Sequence, residues 1–281
     1  MIKFSKMHGL GNDFVVINAI DQAIDLTSDM IRFMADRHRG IGCDQLLLVE
    51  SATVPEADFA YRIYNADGSE VAQCGNGARC FARFVRDQGL TDKTTITVET
   101  HSGLLQLMIM DGDLVRVDMG RPRFELADIP FKADSVSPRY TLPVAQAGRA
   151  EPTRYEIAAL SMGNPHAVLR VDDVMQAPVA EIGPLIESHV QFPERVNVGF
   201  MEIEGRHHIR LRVYERGAGE TLACGSGACA AMVAGRLWGL LDEKVTVALP
   251  GGSLLIEWSG EDGSVYMTGS AIHIFEGNIQ L

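Results

Sequence analysis

A stretch of nineteen residues occurs twice in this 281-residue chain. Residues 62–80 read RIYNADGSEVAQCGNGARC and residues 212–230 read RVYERGAGETLACGSGACA, aligned without a gap at an offset of 150. Arg62, Tyr64, Glu70, Cys74, Gly75, Gly77 and Ala78 fall on Arg212, Tyr214, Glu220, Cys224, Gly225, Gly227 and Ala228. Each copy reads as a strand, a glycine-containing turn and a CGxG run that opens a helix. Thiols at equivalent points of a duplicated unit imply a site with pseudo-two-fold symmetry.

The flanks carry the repeat further. Gly11-Asn12 is echoed by Gly163-Asn164, and Gln45 by Asn197, both at an offset of 152. One short loop change absorbs the two-residue difference. A period this long is not that of a solenoid; it implies two homologous domains, and 281 residues suffice for two of ordinary size. The expected boundaries are 1–122 plus 270–281 for the N-terminal domain and 123–269 for the C-terminal one, with the crossing at 120–128.

Hydrophobic residues make up 46% and charged residues 22%, as in a globular protein. A net charge of −12 without a basic run argues against nucleic-acid binding. No apolar stretch reaches the length of a membrane span, and the N-terminus has no signal-peptide pattern. The five cysteines (43, 74, 80, 224 and 229) are therefore expected as reduced thiols in the cytoplasm, and their spacing does not suit zinc.

Along the chain, strands are expected at 1–8, 14–19, 44–49, 59–65, 94–100, 103–110 and 113–119. Ser28 is expected to cap a helix to Arg37 with Ile31 and Met34 inward, and a second helix to run from Asn76 to Gln88, stopped by Gly89. The second half repeats the order, with strands at 155–162, 167–171, 197–203, 207–214, 244–249, 252–258 and 265–268 and helices near 178–188 and 226–239. Asp111-Gly112 marks a hairpin, mirrored by Asp262-Gly263, and the tail 271–275 is expected to pair back onto the first domain. The helix after Cys224 is apolar nearly all round, which demands burial on most sides. The expected fold is α+β: two pseudo-symmetric domains, each a curved, mostly antiparallel sheet wrapped around a central helix, with the active site in the cleft between them.

A CGxG run at a helix start offers first-turn N–H groups without intrahelical partners and a positive dipole end. Glycines there let a ligand come close, so a carboxylate or phosphate fits. The same potential favours a thiolate, making Cys74 and Cys224 candidates for a lowered pKa. Two such units facing one anion suit inversion of a carbon next to a carboxylate. One thiolate removes the α-proton, the other thiol protonates the opposite face, and the N–H groups stabilise the charge that builds on the carboxylate. This chemistry needs no cofactor and no metal.

The stretches KMHGLGNDF (6–14), DQLLLVE (44–50), YRIYNADGSEVAQCGNGARC (61–80), SMGNPH (161–166), RVNVGF (195–200), VYERGAGETLACGSGACA (213–230) and LPGG (249–252) closely resemble the diaminopimelate epimerases. These are cofactor-independent isomerases of lysine and peptidoglycan precursor biosynthesis. The resemblance spans almost the whole chain. Proline racemases share the two-cysteine logic with different motif wording, and phenazine-type isomerases of similar fold lack the pair. The resemblance implies that Cys74 and Cys224 are the catalytic thiols, and that Gly75-Asn76 and Gly225-Ser226 hold the reacting carboxylate. It implies further substrate contacts from Asn12, Gln45, Asn65, Asn164, Asn197, Glu215 and Arg216, with Arg216 on the distal carboxylate and Glu215 on an ammonium. His166 and Glu215 match residues that tune the thiol pKa values. The implied activity is interconversion of L,L- and meso-diaminopimelate; the implied partner is this small molecule, with no nucleic acid and no membrane. A homodimer is compatible with the sequence, which does not decide the oligomeric state.

Plainer readings stand beside these. Cys43, Cys80 and Cys229 read as small buried hydrophobes. Arg62 and Arg212 suit structural ion pairs, and Glu70 and Glu220 suit loop N–H groups. Two other functions compete with the leading one. A racemase or epimerase of another amino acid would use the same thiols, but Glu215 and Arg216 favour a substrate with a second amino-acid head. A thiol redox protein would use a Cys74–Cys224 disulfide, but the chain lacks a CxxC pattern.

Overall fold

The computed structural model describes residues 1–71, 74–260 and 263–281. The chain divides into two compact units, Met1–Asp118 with Thr268–Leu281, and Met119–Met267. The divisions expected after 122 and 269 thus fall a few residues earlier, after Asp118 and Met267.

The first unit runs β1 (Ile2–Gly9), β2 (Asn12–Asn18), α1 (Ser28–Ala35), β3 (Gln45–Ser51), β4 (Phe59–Asn65), β5 (Glu70–Val71), α2 (Gly75–Asp87), β6 (Thr95–Thr100), β7 (Gly103–Ile109) and β8 (Leu114–Asp118). The second runs β9 (Tyr140–Val144), β10 (Thr153–Ser161), β11 (Pro165–Val171), α3 (Val179–Glu187), β12 (Asn197–Gly205), β13 (His208–Glu215), β14 (Gly219–Thr221), α4 (Gly225–Leu237), β15 (Lys244–Leu249) and β16 (Gly252–Glu257). Then β17 (Tyr266–Ser270) returns the chain to the first unit, where β18 (Ile272–Ile279) pairs antiparallel with β1, as expected of the tail.

The duplication reaches the register of the sheets. β2 lies parallel to β3 with Phe14 opposite Gln45, and β11 parallel to β12 with His166 opposite Asn197, the same pairing displaced by 152. Tyr64 faces Glu70 across β4 and β5, and Tyr214 faces Glu220 across β13 and β14. The remaining hairpins, β3–β4, β6–β7, β12–β13 and β15–β16 among them, are antiparallel.

Strands β2 and β3 read as nearly unbroken apolar runs because both of their faces are covered. Val15, Ile17, Leu46 and Leu48 pack with Ile31 and Met34 of α1. On the other face, an added Cβ on Gly77 of α2 would lie 3.3 Å from both Leu47 Cδ2 and Ile63 Cδ1 and 2.8 Å from the Tyr61 hydroxyl. The second unit repeats the sandwich, with Ile182 and Ile186 of α3 on Leu169, Val198 and Phe200, and Gly227 of α4 against Val213. The second glycine of each CGxG run is therefore set by close helix–sheet packing, not by room for a ligand. α2 and α4 are the central helices: Arg79, Cys80, Phe81 and Ala82, and the whole run from Gly227 to Gly235, are buried.

Several local expectations change. Thr27, not Ser28, caps α1, accepting from the Met30 N–H at 3.3 Å, and the helix stops at Ala35. Strand β9 was not expected; among the described residues it pairs only with β10, and an edge strand tolerates Pro143. The Asp111-Gly112 turn joins β7 to β8, with Gly112 at φ +70°. Its expected mirror at Asp262-Gly263 begins on a residue outside the described ones. Among the described residues no helix is long and apolar enough to cross a membrane.

Both central helices end alike. Gly89 and Gly239 sit at φ +67° and +74°; their N–H groups bond to Arg86 and Arg236 carbonyls, and those of Leu90 and Leu240 bond to Val85 and Gly235 carbonyls. This is the paired 6→1 and 5→2 closure that favours a left-handed residue. A Cβ at either glycine meets no atom within 4 Å, so only backbone strain resists a side chain. Gly89→Ala and Gly239→Ala should each cost about 1–2 kcal/mol in urea unfolding. A stabilisation by either would contradict the closure.

Candidate active site

Each unit gathers its own set of the expected residues around a helix start. In the first, Cys74 is the N-cap of α2, with Gly75 and Asn76 opening the helix. Asn12, at the start of β2, turns its Oδ1 to Cys74 Sγ at 3.9 Å and to Asn76 Nδ2 at 3.3 Å. Gln45, at the start of β3, donates from Nε2 to Asn65 Oδ1 at 3.0 Å, because their strands place the two opposite each other. The Tyr61 hydroxyl donates to the Cys74 carbonyl at 3.2 Å, tying the helix start to β4.

In the second unit Cys224 is the N-cap of α4, followed by Gly225 and Ser226. Its Sγ donates to Glu215 Oε2 at 3.2 Å and lies 3.7 Å from Ser226 Oγ. Thr221 Oγ1 donates to Glu215 Oε1, so the carboxylate is held from both sides. His166 Nε2 donates to Asn164 Oδ1 at 2.9 Å. Asn197 is buried and engaged at both ends by backbone: Nδ2 donates to the Pro165 carbonyl and Oδ1 accepts from the Arg216 N–H, each at 2.9 Å. The exposed Arg216 guanidinium rests on the Glu194 carbonyl at 3.2 Å.

One electrostatic expectation is overturned. The Cys224 thiol is pushed well above its ordinary pKa, first by burial and then by the Glu215 charge and hydrogen bond; the Gly227 N–H and Ser226 pull weakly the other way. The helix start does not make it a thiolate in the ligand-free state. His166 is fully buried, and burial with the neighbouring Arg216 charge pushes its pKa down to about 3. It is a neutral donor. Cys43 and Cys80 behave as buried thiols, raised to about 11 and about 12 chiefly by burial. All five cysteines are thiols.

Arg62 and Arg212 make the expected structural pairs, with Nε donating to Glu70 and Glu220 at 2.8 and 2.6 Å. Those glutamates accept from guanidinium groups. Three residues that sequence reasoning passed over support the site. Thr221 fixes Glu215, and Asp44 accepts from Asn12 Nδ2 at 3.0 Å. Buried Glu187 accepts from the Gly217 N–H at 3.0 Å and from Arg195 Nη1 at 3.2 Å, anchoring the turn that carries Glu215 and Arg216. A carboxylate in the apolar helix 179–187 was the signal for Glu187.

The state of His166 can be read from stability. The unfolded histidine takes up a proton below pH 6.5, whereas in the fold it stays neutral down to about 3. The unfolded state thus binds more protons in that window, and this contribution is fully present above pH 6.5 and is lost as pH falls toward 3. Between pH 7.5 and 5.5 the wild type should lose about 1.4 kcal/mol more than His166→Gln in urea unfolding. Equal losses would mean that His166 is protonated within the fold.

The sequence pattern of the family described as diaminopimelate epimerase matches residues 4–125 and 158–274. A diaminopimelate epimerase from Chromobacterium violaceum is 60% identical over 280 residues, covering 100% of this chain and 99% of the relative. One from Thioalkalivibrio sulfidiphilus is 60% identical over 282 residues, with the same coverage. Among solved structures, a probable proline racemase from Agrobacterium radiobacter K84 superposes with a TM-score of 0.70 at 18% identity, covering 100% of this chain and 93% of that one, and shares the fold. Two matched segments in two duplicated units, and 60% identity end to end, lead to one conclusion: the chain belongs to the diaminopimelate epimerase family.

Proposed function

We propose that this isomerase interconverts L,L- and meso-diaminopimelate in lysine biosynthesis by a two-base reaction, with Cys74 and Cys224 exchanging the roles of general base and general acid. The observation that carries the reading is the placement of two thiols at equivalent N-caps of equivalent buried helices. In this reading one carbon is served by both thiols. One thiolate takes the α-proton, and the electron pair left behind delocalises into the α-carboxylate. That carboxylate lies on the first-turn N–H groups at Gly75-Asn76 and Gly225-Ser226, where charge is best stabilised as it develops. The other thiol then delivers its proton to the opposite face. No atom is gained or lost, and the reverse reaction swaps the thiols.

The remaining polar groups read the second amino-acid head. Arg216 swings from the Glu194 carbonyl to the distal carboxylate, a two-pronged contact that suits a guanidinium. Asn65, Asn164, Asn197 and Gln45 add neutral contacts, and Glu215 takes an ammonium. Thiols in this chemistry need a reducing compartment, the cytoplasm.

Cys74→Ala and Cys224→Ala should each abolish epimerisation with the fold intact, because one base cannot protonate the face opposite to the one it deprotonates. Turnover in deuterated water, with mass analysis of the α-carbon and circular dichroism of each variant, is the measurement; normal turnover by either folded variant would remove the two-base reading. Arg216→Lys should raise KM for diaminopimelate by about 10-fold or more, since an ammonium cannot replace a fork. An analogue with a single carboxylate should lose much less, and equal losses on both would take Arg216 off the distal carboxylate.

A further inference from the structure

Asn12 is held from behind. Asp44 Oδ2 accepts from Asn12 Nδ2 at 3.0 Å and from the Asp13 backbone N–H at 3.1 Å, while Asp44 Oδ1 accepts from Arg37 Nη2 at 2.8 Å. Asp44 is in turn fixed by its neighbours. Its N–H donates to Asp13 Oδ1 at 2.9 Å, and Asp13 is gripped by both terminal nitrogens of Arg37, at 2.9 and 2.7 Å, and by Lys6 Nζ at 2.6 Å. A carboxylate can only accept. The amide of Asn12 therefore has one orientation, with its NH₂ on Asp44 and its oxygen on Cys74 Sγ and Asn76.

The second unit has no such device. The positions equivalent to Asp13 and Asp44, displaced by 152, are Pro165 and Val196. There Asn164 has its oxygen, not its nitrogen, taken by His166. The two asparagines of the repeat are thus set in opposite senses by different partners.

We infer that Asp44 is a positioning residue for Cys74: through the Asn12 amide it presents an acceptor oxygen to the sulfur and keeps Cys74 a hydrogen-bond donor in the ligand-free enzyme. The inference rests on the reading of Cys74 as one of the two reacting thiols, but it does not depend on the substrate. Turning the amide over would put an N–H on the sulfur and favour the thiolate. Asp44→Ala should release the amide, because it removes the acceptor that holds the Asn12 NH₂ away from the sulfur.

The test is the rate at which iodoacetamide alkylates Cys74 at neutral pH, followed by peptide mass in a Cys224→Ala background. Asp44→Ala should raise it about tenfold, the factor expected when one neutral hydrogen bond switches from favouring the thiol to favouring the thiolate. Loss of the Asp44 charge also favours a thiolate, without any turn of the amide. The Asn12→Ala background separates the two effects. Asn12→Ala alone should speed alkylation by removing the acceptor, and adding Asp44→Ala to it should give only the smaller direct-charge increment, well short of tenfold. The inference is overturned if the full tenfold rise persists in the Asn12→Ala background, which would be direct charge. It is also overturned if Asp44→Ala has no effect, or if Asn12→Ala, which leaves the Asp44 cluster intact should Asp44→Ala fail to fold, does not speed alkylation. Failure of the two-thiol reading shows elsewhere, as full turnover by Cys74→Ala.

Discussion

A helix sunk into a sheet must still do something with the N–H groups of its first turn, which have no partner within the helix. In both units that end is capped by a cysteine, where a hydroxyl or carboxylate oxygen would ordinarily stand. Sulfur is a weak acceptor. The helix starts are left with capacity for an incoming anion, and in the proposed reading the residue that fails to consume that capacity is the one that carries the acid–base chemistry. The apolar helices, the two-faced sheets and the left-handed glycine closures hold these two starts in place.

Symmetry of backbone does not give symmetry of chemistry. Asn65 and Glu215 are equivalent by the repeat, yet the first bonds Gln45 and the second accepts a hydrogen bond from the Cys224 thiol. Phe14 and His166 are equivalent by register, yet one is core and the other orients an amide. An enzyme that must tell one face of a carbon from the other, and one end of its substrate from the other, needs such differences. The duplication supplies the frame, and single substitutions on it supply the handedness.

Most of the frame was legible because it is written in short-range patterns. Apolar runs flanked by glycine and aspartate mark the strands, and the gapless repeat marks the units. β9 was missed because Pro143 argues against a strand anywhere but at an edge, and edge position is a tertiary fact. Thr27 and Ser28 are both good caps, and which one serves is decided by a single turn of backbone. At the site, residue types were legible but their pairings were not. Asp44 reaches Asn12 across 32 positions and Glu187 reaches Gly217 across 30, and no local pattern reports such contacts.

The misreading of the Cys224 pKa is a matter of magnitudes. A helix start contributes typically about 0.3–1 kcal/mol to a neighbouring charge. Full burial can move a pKa by up to about 3–5 units, each worth about 1.4 kcal/mol. An adjacent carboxylate pushes the same way, so burial and Glu215 outweigh the dipole. The thiol can only become a useful base if a ligand changes this balance. A ligand carboxylate at the helix start makes a thiolate harder to form, since it adds negative charge. A ligand ammonium at Glu215 does the opposite, neutralising the charge that holds the proton on sulfur. Diaminopimelate carries a carboxylate on the carbon that reacts and a further ammonium on its second amino-acid head. On the proposed reading that second ammonium, drawn to Glu215, relieves part of the penalty on Cys224, and an analogue lacking it would bind but leave the thiol inert.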